Sequence, residues 1–367
     1  MPSRPLSSWL DVGRRLADAR KAAGLTQEEL AGRLGLDRTA VSKIESGDRR
    51  VDTLELAHFA RELGRSIEWF VTAPPAAVVS RRRDAAEPRV LRVDAALEEF
   101  AQGVELLIDL GVLEPPAVRR TGRRIESVGD AEAAALEFRE AHGFGPGPLR
   151  DLQGQAERCA LYALSLDLPG GFDGAYLGTE HGGVALINGS VDPGRRRFTL
   201  AHEIGHHALE DEYSSDFDMA AGLEERERLI NAFAIHLLMP RPAVTVRWAE
   251  LLETGGARRA AVILSAEYGV SWSATIPHLQ HLRLLPPPEC AGLLAAPPRR
   301  ADYLELGLDV IPELAPPSVP RLYGAAVVKA YRRLAISADR AVELLHGALA
   351  RADLPALEVP FLAVADA

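Results

Sequence analysis

His202 and His206 stand four residues apart in the stretch FTLAHEIGHHALEDE, residues 198–212, with Glu203 beside the first. On an α-helix, positions i and i+4 share one face a single turn apart, so the two imidazoles address one ion only if this stretch is helical. That requirement constrains the fold more than any other feature. A tetrahedral catalytic metal also needs a third protein ligand and an open position for water. A second element must therefore pack against the histidine helix. The same three fixed residues recur by chance in roughly 5% of chains of this length, so the third ligand decides the matter.

A downstream segment supplies it. In ERLINAFAIHLLMP, Ile230, Phe233, Ala234, Leu237 and Leu238 form an apolar stripe at helical spacing, and Glu227 and Asn231 fall at its edge as an i, i+4 pair. Glu227 is the expected third ligand. Asn231 is expected to bond a ligating imidazole from behind. Glu203 sits beside the site without ligating and is the expected general base. His207 points about 100° away around the helix and reads as a solvent-facing or supporting histidine. His236 falls on the face opposite Glu227 and reads as structural or exposed. Tyr213 has the chemistry to stabilise an oxyanion, although its spacing does not single it out.

The first 72 residues read as short helices, with Gly24, Gly35, Gly47 and Gly64 placed where apolar periodic runs stop. Two of these helices flank the tight turn LGLD. The second starts after Asp37, a good N-cap, and puts Arg38, Thr39, Ser42 and Lys43 on one exposed side while Val41 and Ile44 point inward. Short polar and cationic side chains there can reach base edges in a major groove. Gln27, opening the preceding helix, is placed to bond a phosphate. The same helices would serve equally as a dimerisation or protein-contact domain without a DNA role.

This block resembles the helix-turn-helix domain of phage-type and Xre-family repressors, from GLTQEELA to IESG. The resemblance implies double-stranded operator DNA as a partner and an internal ion pair between Arg20 and Glu45. Residues 1–72 carry twelve Lys and Arg against eleven Asp and Glu, a net +1. Non-specific affinity should be modest at that charge, so specific binding is expected to need a homodimer or paired sites.

FTLAHEIGHH and ERLINAFAIHLLMP together resemble the paired motifs of the ImmA/IrrE family of metallopeptidases, a gluzincin-like group, over residues 150–245. In that family's pattern a glutamate stands four residues before the asparagine, the place Glu227 holds. Ile230 occupies a position where the family usually has alanine. The resemblance implies one zinc ion per chain and a protein substrate, most plausibly a repressor or antitoxin encoded nearby. In gluzincin-like folds an edge strand precedes the histidine helix, and residues 183–188 are expected to fill that place. The basic run GRRRF reads as a solvated turn.

Composition narrows the class further. A net charge of −10 over 367 residues excludes a general nucleic-acid coating protein, so DNA contact must be local. Two cysteines without CxxC spacing suggest neither a disulfide framework nor a thiolate zinc site. No run approaches the roughly 18 apolar residues of a membrane span, and no signal peptide is visible. A cytoplasmic protein with no membrane partner is expected.

The expected fold is mainly α with a small β-sheet, an α+β architecture behind an N-terminal all-α helix-turn-helix domain. The expected domains are residues 1–72 for DNA binding, 73–94 as a linker, 95–285 for the metallopeptidase with its core at 150–245, and 286–367 as a C-terminal region and candidate regulatory subdomain. LRDLQGQAERCALYALSL reads as a helix, GAYLG and GVALINGS as a hairpin, ADYLELGLDVIPEL as extended, and residues 319–349 as a helical pair. The functional expectation is a DNA-binding zinc endopeptidase acting on a regulatory protein. Its competitor is a non-catalytic regulator or antitoxin with a vestigial metal site. The retained Glu203 favours the enzyme, because a purely structural zinc has no need of a base.

Overall fold

The computed structural model describes residues 5–73, 88–168, 172–209, 220–309 and 312–357. The N-terminal unit comprises α1 (Trp9–Ala22), α2 (Gln27–Leu34), α3 (Arg38–Glu45), α4 (Thr53–Leu63) and α5 (Ile67–Val71). Thr26 and Glu29 form a reciprocal capping box that starts α2. Gly35 ends that helix in the left-handed region at φ 68° and turns the chain into Asp37. Asp37 then caps α3 by accepting from the Ala40 N–H at 2.7 Å. Leu16, Leu30, Val41, Ile44, Phe59 and Trp69 close the core of this unit.

Residues 74–87, most of the expected linker, lie outside the described residues. The remainder is not linker: α6 (Pro88–Asp109) begins with proline in its first turn, where the missing N–H costs nothing. Leu97, Phe100, Ala101 and Val104 give this helix one long apolar stripe, and Ala95 joins the N-terminal core from its other side. Arg15 of α1 donates to both carboxylate oxygens of Glu98, at 2.9 and 2.6 Å, and stacks over the Trp69 ring at 3.6 Å. Both members of that ion pair are buried. A single helix thus serves the N-terminal unit and the sheet beyond it.

After α7 (Val128–Ala141) and α8 (Leu152–Arg158) comes a three-stranded sheet of β1 (Leu161–Leu166), β2 (Gly174–Thr179) and β3 (Gly182–Asn188), in the order β1-β3-β2. β1 runs parallel to β3, from Leu161 opposite Gly183 to Leu166 opposite Asn188. The expected hairpin pairs β2 antiparallel to β3. β1 replaces the last third of a segment, residues 149–166, expected to be one helix. β3 is not the edge strand expected at residues 183–188. It is central, and Ala185 and Ile187 face one core while Val184 and Leu186 face the other. Burial on both faces gives a continuous apolar run instead of alternation.

One face of the sheet carries α9 (Pro193–Ala208) and α10 (Ala220–Leu238), followed by α11 (Arg241–Thr254), α12 (Ala257–Tyr268), α13 (Trp272–His281) and α14 (Pro287–Ala295). The packing does not break near residue 286, since Cys290 and Leu293 join the core built by α12 and α13. Of residues 301–314, expected to be extended, the first five belong to the short helix α15 (Arg300–Glu305), with Asp302 accepting from the Arg299 N–H at 2.5 Å. The other face is covered by α6 and by the expected helical pair, α16 (Arg321–Arg332) and α17 (Ala338–Leu344). Glu157 of α8 receives the N–H groups of Leu322 and Tyr323 at 2.9 and 2.8 Å, which fastens α16 to the sheet domain. The chain is mainly α with one small sheet. Among the described residues no single helix is long and apolar enough to cross a membrane.

Candidate metal centre

α9 presents His202 and His206 on one face, and α10 packs across it with Glu227 opposite them. The Nε2 atoms of the two histidines lie 3.0 Å apart. Oε2 of Glu227 is 3.1 Å from Nε2 of His202, and Oε1 is 3.7 Å from Nε2 of His206. Ligand atoms around a tetrahedral zinc at 2.0–2.1 Å stand about 3.3 Å from one another, so this triangle has the size such an ion requires. The donor set, two imidazole nitrogens and one carboxylate, suits the same class of ion. The histidine side chains are 17% and 12% exposed and that of Glu227 is 45% exposed, so the trio opens to solvent on the glutamate side.

The histidines are oriented from behind. His202 Nδ1 lies 3.0 Å from Oδ1 of Asn231, and donation there leaves the Nε2 lone pair directed at the triangle. Burial opposes charging of His202, but the bond to Glu227 and the nearby Glu203 and Glu227 carboxylates outweigh it and raise its pKa. Tyr176 of β2 stacks on His206 with ring centroids 6.3 Å apart, and its hydroxyl lies 3.2 Å from Nδ1 of His207. His207 is the supporting histidine, not a solvent-facing one. It is buried, donates through Nε2 to the Cys159 carbonyl at 2.8 Å, and is pushed down to about 4 by that burial.

Glu203 is buried on the flank of α9 that faces β2. A Cβ at Gly174 would stand 2.5 Å from its Oε1, so the glycine makes room for the carboxylate. Gly205 does the same for the helix pair, since a Cβ there would meet Ile230 at 3.0 Å and Phe233 at 3.2 Å. Ile230, unusual beside the family pattern, is accommodated by that glycine. The GRRRF run is no solvated turn: Arg196 and Arg197 are buried inside α9, and Arg197 pairs with Glu313 and donates to the Leu149 carbonyl at 2.8 Å. Tyr213 lies outside the described residues.

In the N-terminal unit Arg38, Thr39, Ser42 and Lys43 are all exposed along α3. Arg20 donates to Glu45 at 2.6 and 3.0 Å, bracing α1 against α3. Gln27 is only half-exposed, and its amide nitrogen donates to Glu45 at 2.8 Å. That bond uses one of the two amide N–H donors and ties Gln27 to the ion pair.

Sequence reasoning passed over Gly174 and Tyr176. Neither lies in a motif, and only the pairing of β2 beside α9 brings them to the histidines. It also passed over a second group of ligand-type side chains, Glu132, His236 and His281, which come together from three helices.

Residues 16–70 match the model of a helix-turn-helix family, and residues 163–276 match that of the family described as IrrE N-terminal-like domain. The chain is 36% identical over 174 residues to the radiation response metalloprotease IrrE of Deinococcus radiodurans, covering 45% of this chain and 47% of that protein. It is 42% identical over 116 residues to the protein of the same name from Deinococcus deserti, covering 29% of this chain and 41% of that one. The chain thus spans less than half the length of each of these relatives.

Proposed function

We propose, from the match of residues 16–70 to a helix-turn-helix model and of residues 163–276 to the IrrE N-terminal-like domain model, that the chain is a DNA-binding, zinc-dependent endopeptidase that cleaves a repressor or antitoxin-type regulatory protein to control transcription. The observation that carries the reading is the triangle of His202, His206 and Glu227, with Asn231 behind one ligand and Glu203 beside it. The similarity to two proteins named as metalloproteases supports the same chemistry.

His202, His206 and Glu227 would hold the zinc, which when bound would serve as a Lewis acid for the carbonyl and lower the pKa of water to about 7. The rest of the work belongs to side chains of this chain. Glu203 accepts the proton of the attacking water on its carboxylate and hands it to the departing amine nitrogen. Gly174 leaves that carboxylate its space. Asn231 and Tyr176 hold the two imidazoles in place from opposite sides. β2, an edge strand running past Glu203, offers backbone groups to an extended peptide, whose pairing would present its carbonyl to the site. A peptide substrate, not a small molecule, fits that arrangement.

The helix-turn-helix domain gives the activity an address. Arg38, Thr39, Ser42 and Lys43 present donors suited to base edges and phosphates of operator DNA. A substrate that is itself a transcriptional regulator bound nearby would meet the peptidase at high effective concentration.

The test is incubation of the purified, zinc-loaded protein with the product of the neighbouring gene. One defined cut, lost in Glu203→Gln while zinc is retained, is the expected result. Specific operator binding without any cut in repressor or antitoxin substrates would instead favour a non-catalytic regulator.

A further inference from the structure

On the far side of α10 from the catalytic triangle, His236 is 1% exposed and neither of its ring nitrogens has a hydrogen-bond partner among the described residues. A buried polar group left unsatisfied costs about 1–3 kcal/mol, so folds rarely keep one without a purpose. His236 does not stand alone. Its Nε2 is 3.7 Å from Oε2 of Glu132 on α7, and its ring centroid lies 4.8 Å from that of His278 and 5.7 Å from that of His281, both on α13. One donor atom from each of Glu132, His236 and His281 falls within 4.8 Å of the others.

We propose that Glu132, His236 and His281 form a second metal site, distinct from the catalytic triangle, that takes a divalent ion of the zinc class. Two imidazoles and a carboxylate are the donors such ions prefer. Closing the triangle to the roughly 3.3 Å spacing of a tetrahedral ion asks for up to about 1.5 Å of movement. His281 can supply it, because it is the last residue of α13 and is exposed. His278 lines the same cluster: its Nε2 bonds the Met239 carbonyl at 2.9 Å, which leaves a Nδ1 lone pair without a partner among the described residues.

Arg241 must be reckoned with, since it donates to both oxygens of Glu132 at 2.6 and 2.8 Å. A carboxylate has lone pairs enough for both partners, so Oε1 keeps Arg241 while Oε2, the oxygen nearer His236, turns to the ion. The arginine's charge makes this the weaker of the two sites. An ion there ties α7, α10 and α13 together around the end of α10. The same helix carries Glu227 and Asn231 nearer its start, so filling the second site steadies the helix that completes the first.

The experiment uses the full-length protein, stripped of metal and titrated with cobalt(II), read by visible absorption and by metal analysis. Wild type is expected to take two ions per chain, and His281→Gln or Glu132→Gln one. His202→Ala should also take one, with the spectrum of the other site. Because His281 is exposed, its variant should match wild type in the thermal midpoint of the metal-free form, while the rise in midpoint produced by the second ion disappears. A single ion per chain in wild type, or two in both His281→Gln and Glu132→Gln, overturns the proposal.

Discussion

Oε1 of Glu203 fills the space in which a side chain on Gly174 would begin: a Cβ there would stand 2.5 Å away. Cγ2 of Thr199 would stand as near, at 2.4 Å, and real atoms do not approach so closely, so Gly174→Ala must displace both side chains or shift β2. General-base catalysis is worth typically 10²–10⁴-fold, and a misdirected base forfeits much of it. We expect Gly174→Ala to lower kcat at least about tenfold with KM and zinc content near wild type. An unchanged kcat would show that Glu203 does its work from some other position.

Asn231 acts through His202, to which it offers Oδ1 at 3.0 Å. Loss of such a supporting bond costs about 10–100-fold in metal affinity. Asn231→Ala should show that loss in competition against a chromophoric chelator, whereas Asn231→Asp, which keeps an acceptor, should retain affinity. Equal affinity in the alanine variant and wild type would remove Asn231 from the site.

Arg38 and Lys43 are exposed on α3 and make no contact that the helix-turn-helix core depends on for its packing. Each base-edge or phosphate contact is worth about 1–3 kcal/mol, so the double variant Arg38→Ala, Lys43→Ala should bind its operator at least about 30-fold more weakly at fixed salt. Gln27→Ala should instead loosen the domain, because it removes a bond to Glu45. Fluorescence anisotropy and thermal melts separate the two effects. Wild-type operator affinity in the double variant would mean that α3 is not the reading helix.

The parts of this fold legible in the sequence were those with a period. The i, i+4 histidines, the apolar stripe of α10 and the Asp37 cap each follow from helical geometry, and each stands where it was expected. The strand β1 was hidden because LYALSL, buried on both faces, has no alternation to separate it from a helix. The same continuity in GGVALIN is a signal that β3 is interior, and it was available in the sequence. Arg196 and Arg197 read as solvated because charge is a poor guide to burial when carbonyls and Glu313 wait inside. Glu132, His236 and His281 could not be grouped from spacing at all, since their helices meet only in the folded core.

Buried histidines should make the protein acid-labile. Burial depresses His207, His278 and His346 to about 4 each, below the ordinary value of 6.5. All three are neutral in both folded and unfolded chains above pH 6.5, so stability is fully present there. Between 6.5 and 4 the unfolded chain binds protons that the folded one refuses, and stability falls as pH falls. Thermal melts with a chelator present should show the midpoint flat above pH 7 and dropping steadily from 6.5 toward 4. A midpoint unchanged between pH 7 and 5 would mean these rings are solvated.

Residues 301–367, which fall within the 286–367 region expected from the sequence as a candidate regulatory subdomain, contribute α16 and α17 to the core on one face of the sheet. Tyr323, Val327, Leu344 and Leu345 are all at most 3% exposed and pack with Tyr162, Leu164, Val184 and Leu186. Burying side chains of this size is worth about 1.5–3 kcal/mol each, so four of them match a large part of the 5–15 kcal/mol by which a typical domain is stable. Deletion would also leave the buried Glu157 without the two N–H groups it receives from Leu322 and Tyr323, and Arg197 without Glu313. The truncated chain is therefore expected to lose its cooperative thermal transition and its metal together, not to gain or lose a rate. Circular dichroism and metal analysis of the 1–300 fragment check this. A folded fragment with full zinc would show that the C-terminal helices are an accessory after all and restore them as a candidate regulator.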